Sequence, residues 1–365
     1  MNHPNRLAMP ALLGAALLAT TAYAADPPAG MTKGTPELKS AGALAFGPNG
    51  LLFIGDTKGG SIFAVETGDT TPPPSKATLK ATAINEKIAG LLGTTAKSIL
   101  IQDVAVNPAS GKAYLSVARG NGPEAMPAVL RVDGSGTVEL VPLENVNFAK
   151  ASLPNLPAAN APRNGRTDAI TDIAFLDGKV FVAGLSNENF ASRLMAIPYP
   201  FVESGDGTSL EIYHGAHGGF ETRSPVRTFV PYSIKGEPHL LAAYTCTPLV
   251  KIPVAALKPG SHVKGKTIAE LGNRNKPLDL VAYSKDGKDY LLLANSSRGV
   301  MKIPTEGADT AEPITDKVAE TKGVPYETIA ELKGVEQLDK LDDHHAVILV
   351  RGENGSLDLR TIDLP

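Results

Sequence analysis

Two histidines three residues apart, His214 and His217, sit in the stretch Tyr213-His214-Gly215-Ala216-His217-Gly218-Gly219-Phe220-Glu221. Flanking glycines let both imidazoles turn toward one point. Imidazole nitrogen suits zinc, copper, iron or nickel, and a thiolate would add a soft ligand. The chain has a single cysteine, Cys246, which supplies that thiol. Glu221 is close enough in sequence to serve as an oxygen ligand or as a base. His214, His217 and Cys246 are therefore the candidate metal ligands. His214, His217 and Glu221 are the candidate acid–base residues. The spacing matches no zinc-finger pattern, and loop histidines that simply bond to neighbouring carbonyls are the competing explanation. With one cysteine there is no CxxCH, so no haem is expected, and without tryptophan no tryptophan-derived quinone.

Other chemistry-bearing residues recur at matching points along the chain. Asp103, Asp172, Arg227, Asp279 and Asp339 stand at the starts of apolar runs, and the first such run carries Ala43 instead. Asn295, Arg298 and Arg119 follow the ends of the next runs. Carboxylates gathered at one place repel unless a cation, a proton or an arginine compensates. These eight residues form a candidate ligand-binding set, with Arg227 as the anion anchor. Turn capping by each Asp through backbone N–H groups explains the same residues without a ligand. Arg163 and Arg166, in the Asn/Pro-rich stretch 160–167, are placed to lean over the same face. His239, His262, His344 and His345 fall on other faces and are set aside.

The elements that must position these residues are short strands. In the stretch from Pro277 to Ile303 three apolar runs are separated by a Lys-Asp-Gly-Lys turn and an Asn-Ser-Ser-Arg-Gly loop. Runs of this length between Gly, Asp, Asn and Ser clusters mark strands and turns. The third run, VMKI, has counterparts ending at Val65, Val132, Ile197, Ile252 and Ile362, which recur about every 50–70 residues, as β-propeller blades do. The second strands align equally well: LLFIGD, AYLSVAR, VFVAGL, HLLAAYTC, YLLLAN and AVILVR. Fourth strands are expected at 78–81, 138–141, 210–213, 267–271 and 328–332. The expected fold is all-β: one six-bladed propeller spanning 35–365, closed by strands from both ends of the chain. Residues 36–39 are the expected closing strand of the last blade. A seventh blade would have to hide in 142–169 or 304–327, which read as loops.

Residues 1–24 resemble a secretory leader. Arg6 precedes an apolar run from Leu7 to Ala19, and Ala22-Tyr23-Ala24 offers a small-x-small cleavage site. The expected mature chain begins at Ala25, with a flexible segment 25–34, and is periplasmic or secreted. No cysteine follows the apolar run, which argues against a lipid anchor. A net charge of −3 and only 5% aromatic residues leave no basic, stacking surface for nucleic acid. One exported cysteine makes no internal disulfide.

The unit DIAF…GKVFVA…LMAI, and above all AGALAFGPNGLLFIGDTKGGSIFAV at 41–65, resembles the YVTN, NHL and gluconolactonase/strictosidine-synthase-like propellers. The resemblance implies a six- or seven-bladed propeller. Its members include lactonases, synthases, sensors and scaffolds, so fold alone does not give function. The lactonase branch implies a calcium site with a Glu in the first strand of blade one, where this chain has Ala43 or Gly42. Two functions fit these residues. One is an exported propeller that binds a divalent metal (copper, zinc or calcium) or a small ligand at its channel face, as a metal-assisted hydrolase or an oxidoreductase. The other is a non-catalytic scaffold for a periplasmic protein partner. Neither implies a nucleic-acid or, once the leader is gone, a membrane partner.

Overall fold

The computed structural model describes Met1 and residues 28–72, 78–160, 165–202, 204–246 and 248–365. The leader, Arg163 and Thr247 lie outside the described residues. Six sheets, antiparallel except where His262–Lys264 pairs parallel with Thr208–His214, stand around one axis as a six-bladed β-propeller. No described helix is long and apolar enough to cross a membrane.

Blade 1 runs outward from Leu44–Phe46 through Leu51–Asp56 and Ser61–Glu66. Blade 2 comprises Ile99–Val106, Ala113–Arg119, Met126–Val132 and Val138–Leu140. Blade 3 starts at Asp172–Leu176 and ends with Thr208–His214 and Gly219–Glu221. Blade 4 spans Val226–Ile234, Glu237–Tyr244, Pro248–Pro253 and Lys266–Leu271, with Thr321–Gly323 added outside. Blade 5 comprises Pro277–Lys285, Lys288–Asn295, Gly299–Pro304 and Glu327–Ile329. Blade 6 has Val335–Lys340, His345–Arg351 and Leu357–Asp363.

Second strands carry the core because both their faces meet neighbouring blades. Leu52, Phe53 and Ile54 in blade 1 and Leu292, Leu293 and Ala294 in blade 5 are completely buried. Each such large side chain contributes about 1.5–3 kcal/mol of burial free energy. The core is divided into six interfaces, and these give the order of the ring. Apolar clusters join blade 1 to 3, 3 to 4, 4 to 5, 5 to 6, 6 to 2 and 2 to 1. Blade 2 therefore stands between blades 6 and 1, and the chain passes over blade 1 to reach blade 3.

Strand exchange produces this order. After its third strand, blade 1 hands the chain to Lys80–Ala81, which pairs with Leu359 and Arg360 as the fourth strand of blade 6. The helix Ile84–Leu91 then packs Ile84, Ile88 and Ala89 into the 6–2 interface and leads into blade 2. From blade 2 the chain returns as Val146–Ser152 to form the fourth strand of blade 1, with Thr32–Gly34 outside it. Apart from that of blade 2, which runs into the fourth strand of blade 1, each fourth strand feeds the first strand of its neighbour in space.

Closure of the last blade by C-terminal strands plus an early strand holds, but the early strand is Lys80–Ala81 rather than 36–39. In 36–40, Lys39 and Ser40 instead donate their backbone N–H groups to the buried carboxylate of Asp56, at 2.9 and 2.8 Å. The insert 142–169 is not wholly loop, since it supplies the outer strand Val146–Ser152. The insert 304–327 likewise supplies Thr321–Gly323. Thr32–Gly34 carries the propeller upstream of residue 35 and into the segment expected to be flexible.

Candidate metal and channel sites

The turn His214–Gly218 links the last strands of blade 3. The His214 carbonyl accepts N–H groups from His217 at 3.1 Å and Gly218 at 2.8 Å, which folds the two imidazoles onto one side. Their ring centroids are 4.0 Å apart. Glu221, on the strand that returns from this turn, bonds to both rings. Its Oε2 is 2.9 Å from His214 Nδ1, and its Oε1 bonds His217 Nδ1. Ser224 Oγ donates to the same carboxylate. Burial alone would raise the pKa of Glu221, but the hydrogen bonds from His214, His217 and Ser224 outweigh it and hold the group at about 2.

A carboxylate that accepts from both Nδ1 atoms places the protons there and leaves both Nε2 lone pairs free. This is the outer-sphere arrangement that orients metal-ligating histidines. His214 is 2% exposed, and its Nε2 is buried with no hydrogen-bond partner among the described residues. Such an atom costs about 1–3 kcal/mol if left unmade. His217 is 56% exposed and opens the site to solvent.

Cys246 completes the group. It lies in the turn after the second strand of blade 4, with φ at +61° and its N–H donated to the Asn275 carbonyl at 2.8 Å. One donor atom from each of His214, His217 and Cys246 lies within 4.8 Å of the other two. The structure thus brings together the three residues singled out as metal ligands. Two imidazole nitrogens and one sulfur fit copper or zinc and disfavour calcium, which takes oxygen ligands.

Sequence reasoning missed Glu270. It lies in the fourth strand of blade 4, is 2% exposed and accepts the Gly215 N–H at 2.5 Å beneath the histidine turn. Burial raises its pKa, and the hydrogen bond from the Gly215 N–H counters this in part. A Cβ at Gly215 would stand 2.9 Å from the Glu270 side chain, so only glycine admits the carboxylate there. The signal in sequence is the glycine between the two histidines.

The channel aspartates have a different character. Asp103 accepts N–H groups from Val104 and, across the blade junction, from Leu44 at 2.6 Å. Asp172 does the same with Ile173 and Phe229, Asp279 with Leu280 and Leu338, and Asp339 with Lys340 and Val106. Each carboxylate staples its own blade to the next, across junctions 2–1, 3–4, 5–6 and 6–2. Burial raises all four pKa values, to about 7 for Asp172 and about 6 for Asp339, with further upward pressure on Asp103, Asp172 and Asp279 from neighbouring aspartates. Asp103, Asp172 and Asp279 line a cavity of about 50 Å³, a polar space large enough for ordered water.

Bulges correct the expected ring. Blade 4 pairs Val226 with Tyr244 and Thr228 with Ala243, so Arg227 is the unpaired bulge residue and Thr228 takes the ladder position. Blade 6 is bulged between Val335 and Gln337, which puts Gln337 at that level and Asp339 two residues further along the channel. Arg227 instead bonds Asp168 at 2.8 Å and Thr245 at 3.2 Å on the rim.

The remaining candidates scatter. Asn295 is buried and donates to Asn275, while Arg298 donates to the Asn273 carbonyl, so both support the loop that holds Cys246. Arg119 is exposed at the end of its strand in blade 2, away from this loop. Arg166 donates to the carbonyls of Pro157 and Lys58 rather than reaching over the channel.

No family model and no curated protein matches the chain. Similar solved structures include a PQQ-bound aldose sugar dehydrogenase from Streptomyces coelicolor, 12% identical, covering 93% of this chain and 99% of that one with a TM-score of 0.38. An arabinanase from Bacillus subtilis is 14% identical over 70% of this chain and 91% of its own, with a TM-score of 0.37. The periplasmic gluconolactonase of Pseudomonas aeruginosa is 12% identical over 89% of each chain, with a TM-score of 0.33. Likeness this distant leaves function to this chain's own residues.

Proposed function

We propose that this chain is an exported propeller that holds copper or zinc between His214, His217 and Cys246 and uses the open side of that site for chemistry on a small molecule. The observation that carries this is the buried, unpartnered Nε2 of His214, on a residue that brings a ligand atom within 4.8 Å of ligand atoms of His217 and Cys246. Three protein ligands with a solvent-facing side match the pattern of catalytic rather than structural metal sites. Bound zinc would supply an activated water for hydrolysis, and bound copper would supply one-electron chemistry. In either case Glu221 fixes both imidazoles, and the half-open His217 side admits the substrate.

The test uses the full chain, expressed with its own leader and without a histidine tag. The mature protein should begin at Ala25, take up one Co²⁺ per chain and develop a thiolate-to-metal absorption band. That band should vanish in Cys246→Ser and in His214→Ala/His217→Ala. Absence of stoichiometric uptake by the unsubstituted protein would leave the scaffold function in its place.

A further inference from the structure

We propose that the substrate carries a carboxylate, held by Arg227 and Lys276 on the rim beside the metal site. This rests on the proposed metal centre for the reaction but not for the binding.

Because Arg227 is the bulge residue of its strand, its side chain leaves the ladder and lies at the mouth of the 50 Å³ cavity. Its Nε is fixed to Thr245, the residue before Cys246, and its Nη1 to Asp168. Its Nη2 finds no partner among the described residues, so part of the guanidinium fork stays available for a second carboxylate. Lys276 comes from the loop whose Asn275 carbonyl takes the Cys246 N–H, so the segment that locates the thiol also locates the ammonium group. No described residue bonds that ammonium. Burial lowers the pKa of Lys276, and so does the charge of Arg227 beside it, while Asp168 acts the other way.

Arg227 thus bonds Asp168, and Lys276, from the adjoining loop, lies near enough to feel the charges of both. Like charges drawn together call for an anion. Asp103, Asp172 and Asp279 also line the cavity and offer an anion no cation to bind there. A carboxylate would therefore stay at rim level, one residue from the metal-binding thiol.

The experiment titrates succinate into the full mature chain at low ionic strength by calorimetry, metal-free and Co²⁺-loaded. The expected result is saturable binding in both forms. Arg227→Met removes a charge-assisted hydrogen bond and should weaken binding about tenfold or more. Lys276→Met should weaken it in the same direction, and Asp168→Asn should tighten it by removing the competing acid. A purely structural Arg227–Asp168 pair would make Arg227→Met and Asp168→Asn act alike, and that result overturns the proposal. So does failure of the unsubstituted chain to bind succinate saturably. If Co²⁺ does not bind while succinate follows the expected series, the metal centre fails and the carboxylate site stands.

Discussion

Replacing Asp172 by Asn should flatten the pH dependence of folding stability. Asp172 accepts two backbone N–H groups, from Ile173 and Phe229, each at 2.7 Å. Burial against the channel outweighs those bonds and, with the charge of Asp339, raises the pKa from 3.8 to about 7. The unfolded chain loses this proton near pH 4, whereas the folded chain keeps it until about pH 7. Between those values the folded state binds the extra proton, so raising the pH favours unfolding. The contribution of Asp172 is complete below pH 4 and lost as the pH rises through 7, and a shift of this size amounts to about 4 kcal/mol. Asn cannot ionise. It accepts one N–H and turns its amide against the other, at a cost of about 1–3 kcal/mol. Urea unfolding at pH 5, 6, 7 and 8 reads both effects. Asp172→Asn should be less stable than the unsubstituted protein at pH 5, and the gap should close or reverse by pH 8. A gap that stays constant across the series refutes the link between channel burial and the proton.

Two further outcomes follow from single contacts. Glu221→Gln keeps the shape of the side chain but can accept from only one Nδ1, so Co²⁺ affinity should fall about 10–100-fold with the fold intact; an unchanged titration would show that Glu221 does not orient the rings. Gly136 has φ at +80°, and a Cβ there would meet the Lys80 carbonyl at 2.3 Å, so Gly136→Ala should displace the closing strand of blade 6. A destabilisation of about 1–3 kcal/mol is expected, with faster hydrogen exchange in Leu359 and Arg360 than in blade 4.

The blades were legible in sequence because each second strand is a continuous apolar run, and burial on both faces demands that. The order of the ring was not. Which blade receives a fourth strand is decided by contacts far along the chain, and the strand Lys80–Ala81 is only two residues long. The returning strand Val146–Ser152 buries only Ala149 and Ala151, small residues that leave little periodic signal. The slip at Arg227 has the same origin. A bulge inserts one residue without altering the apolar pattern around it, so alignment by pattern lands one position off. His214, His217 and Cys246 were easier to bring together, because alignment of the strands that bear them already puts their loops on one face. Glu270 was not legible, since its approach depends on a side chain that Gly215 lacks.

The aspartates and the histidine cluster differ in how their lone pairs are used. Each channel carboxylate spends both oxygens on backbone N–H groups of two adjacent blades, so its place in the fold accounts for it without a ligand. Among the described residues no staple of this kind spans junctions 1–3 and 4–5, where Ala43 and Thr228 occupy the equivalent positions. At 4–5 the tie is instead the Cys246 N–H to the Asn275 carbonyl. The thiol therefore stands at a junction that lacks a staple, facing two imidazoles from blade 3. The fold makes full use of Asp103, Asp172, Asp279 and Asp339 but makes none of the Nε2 of His214. A buried donor or acceptor retained at a cost, in a turn shaped by Gly215 and backed by Glu221, is better explained by a ligand it meets than by the fold it burdens.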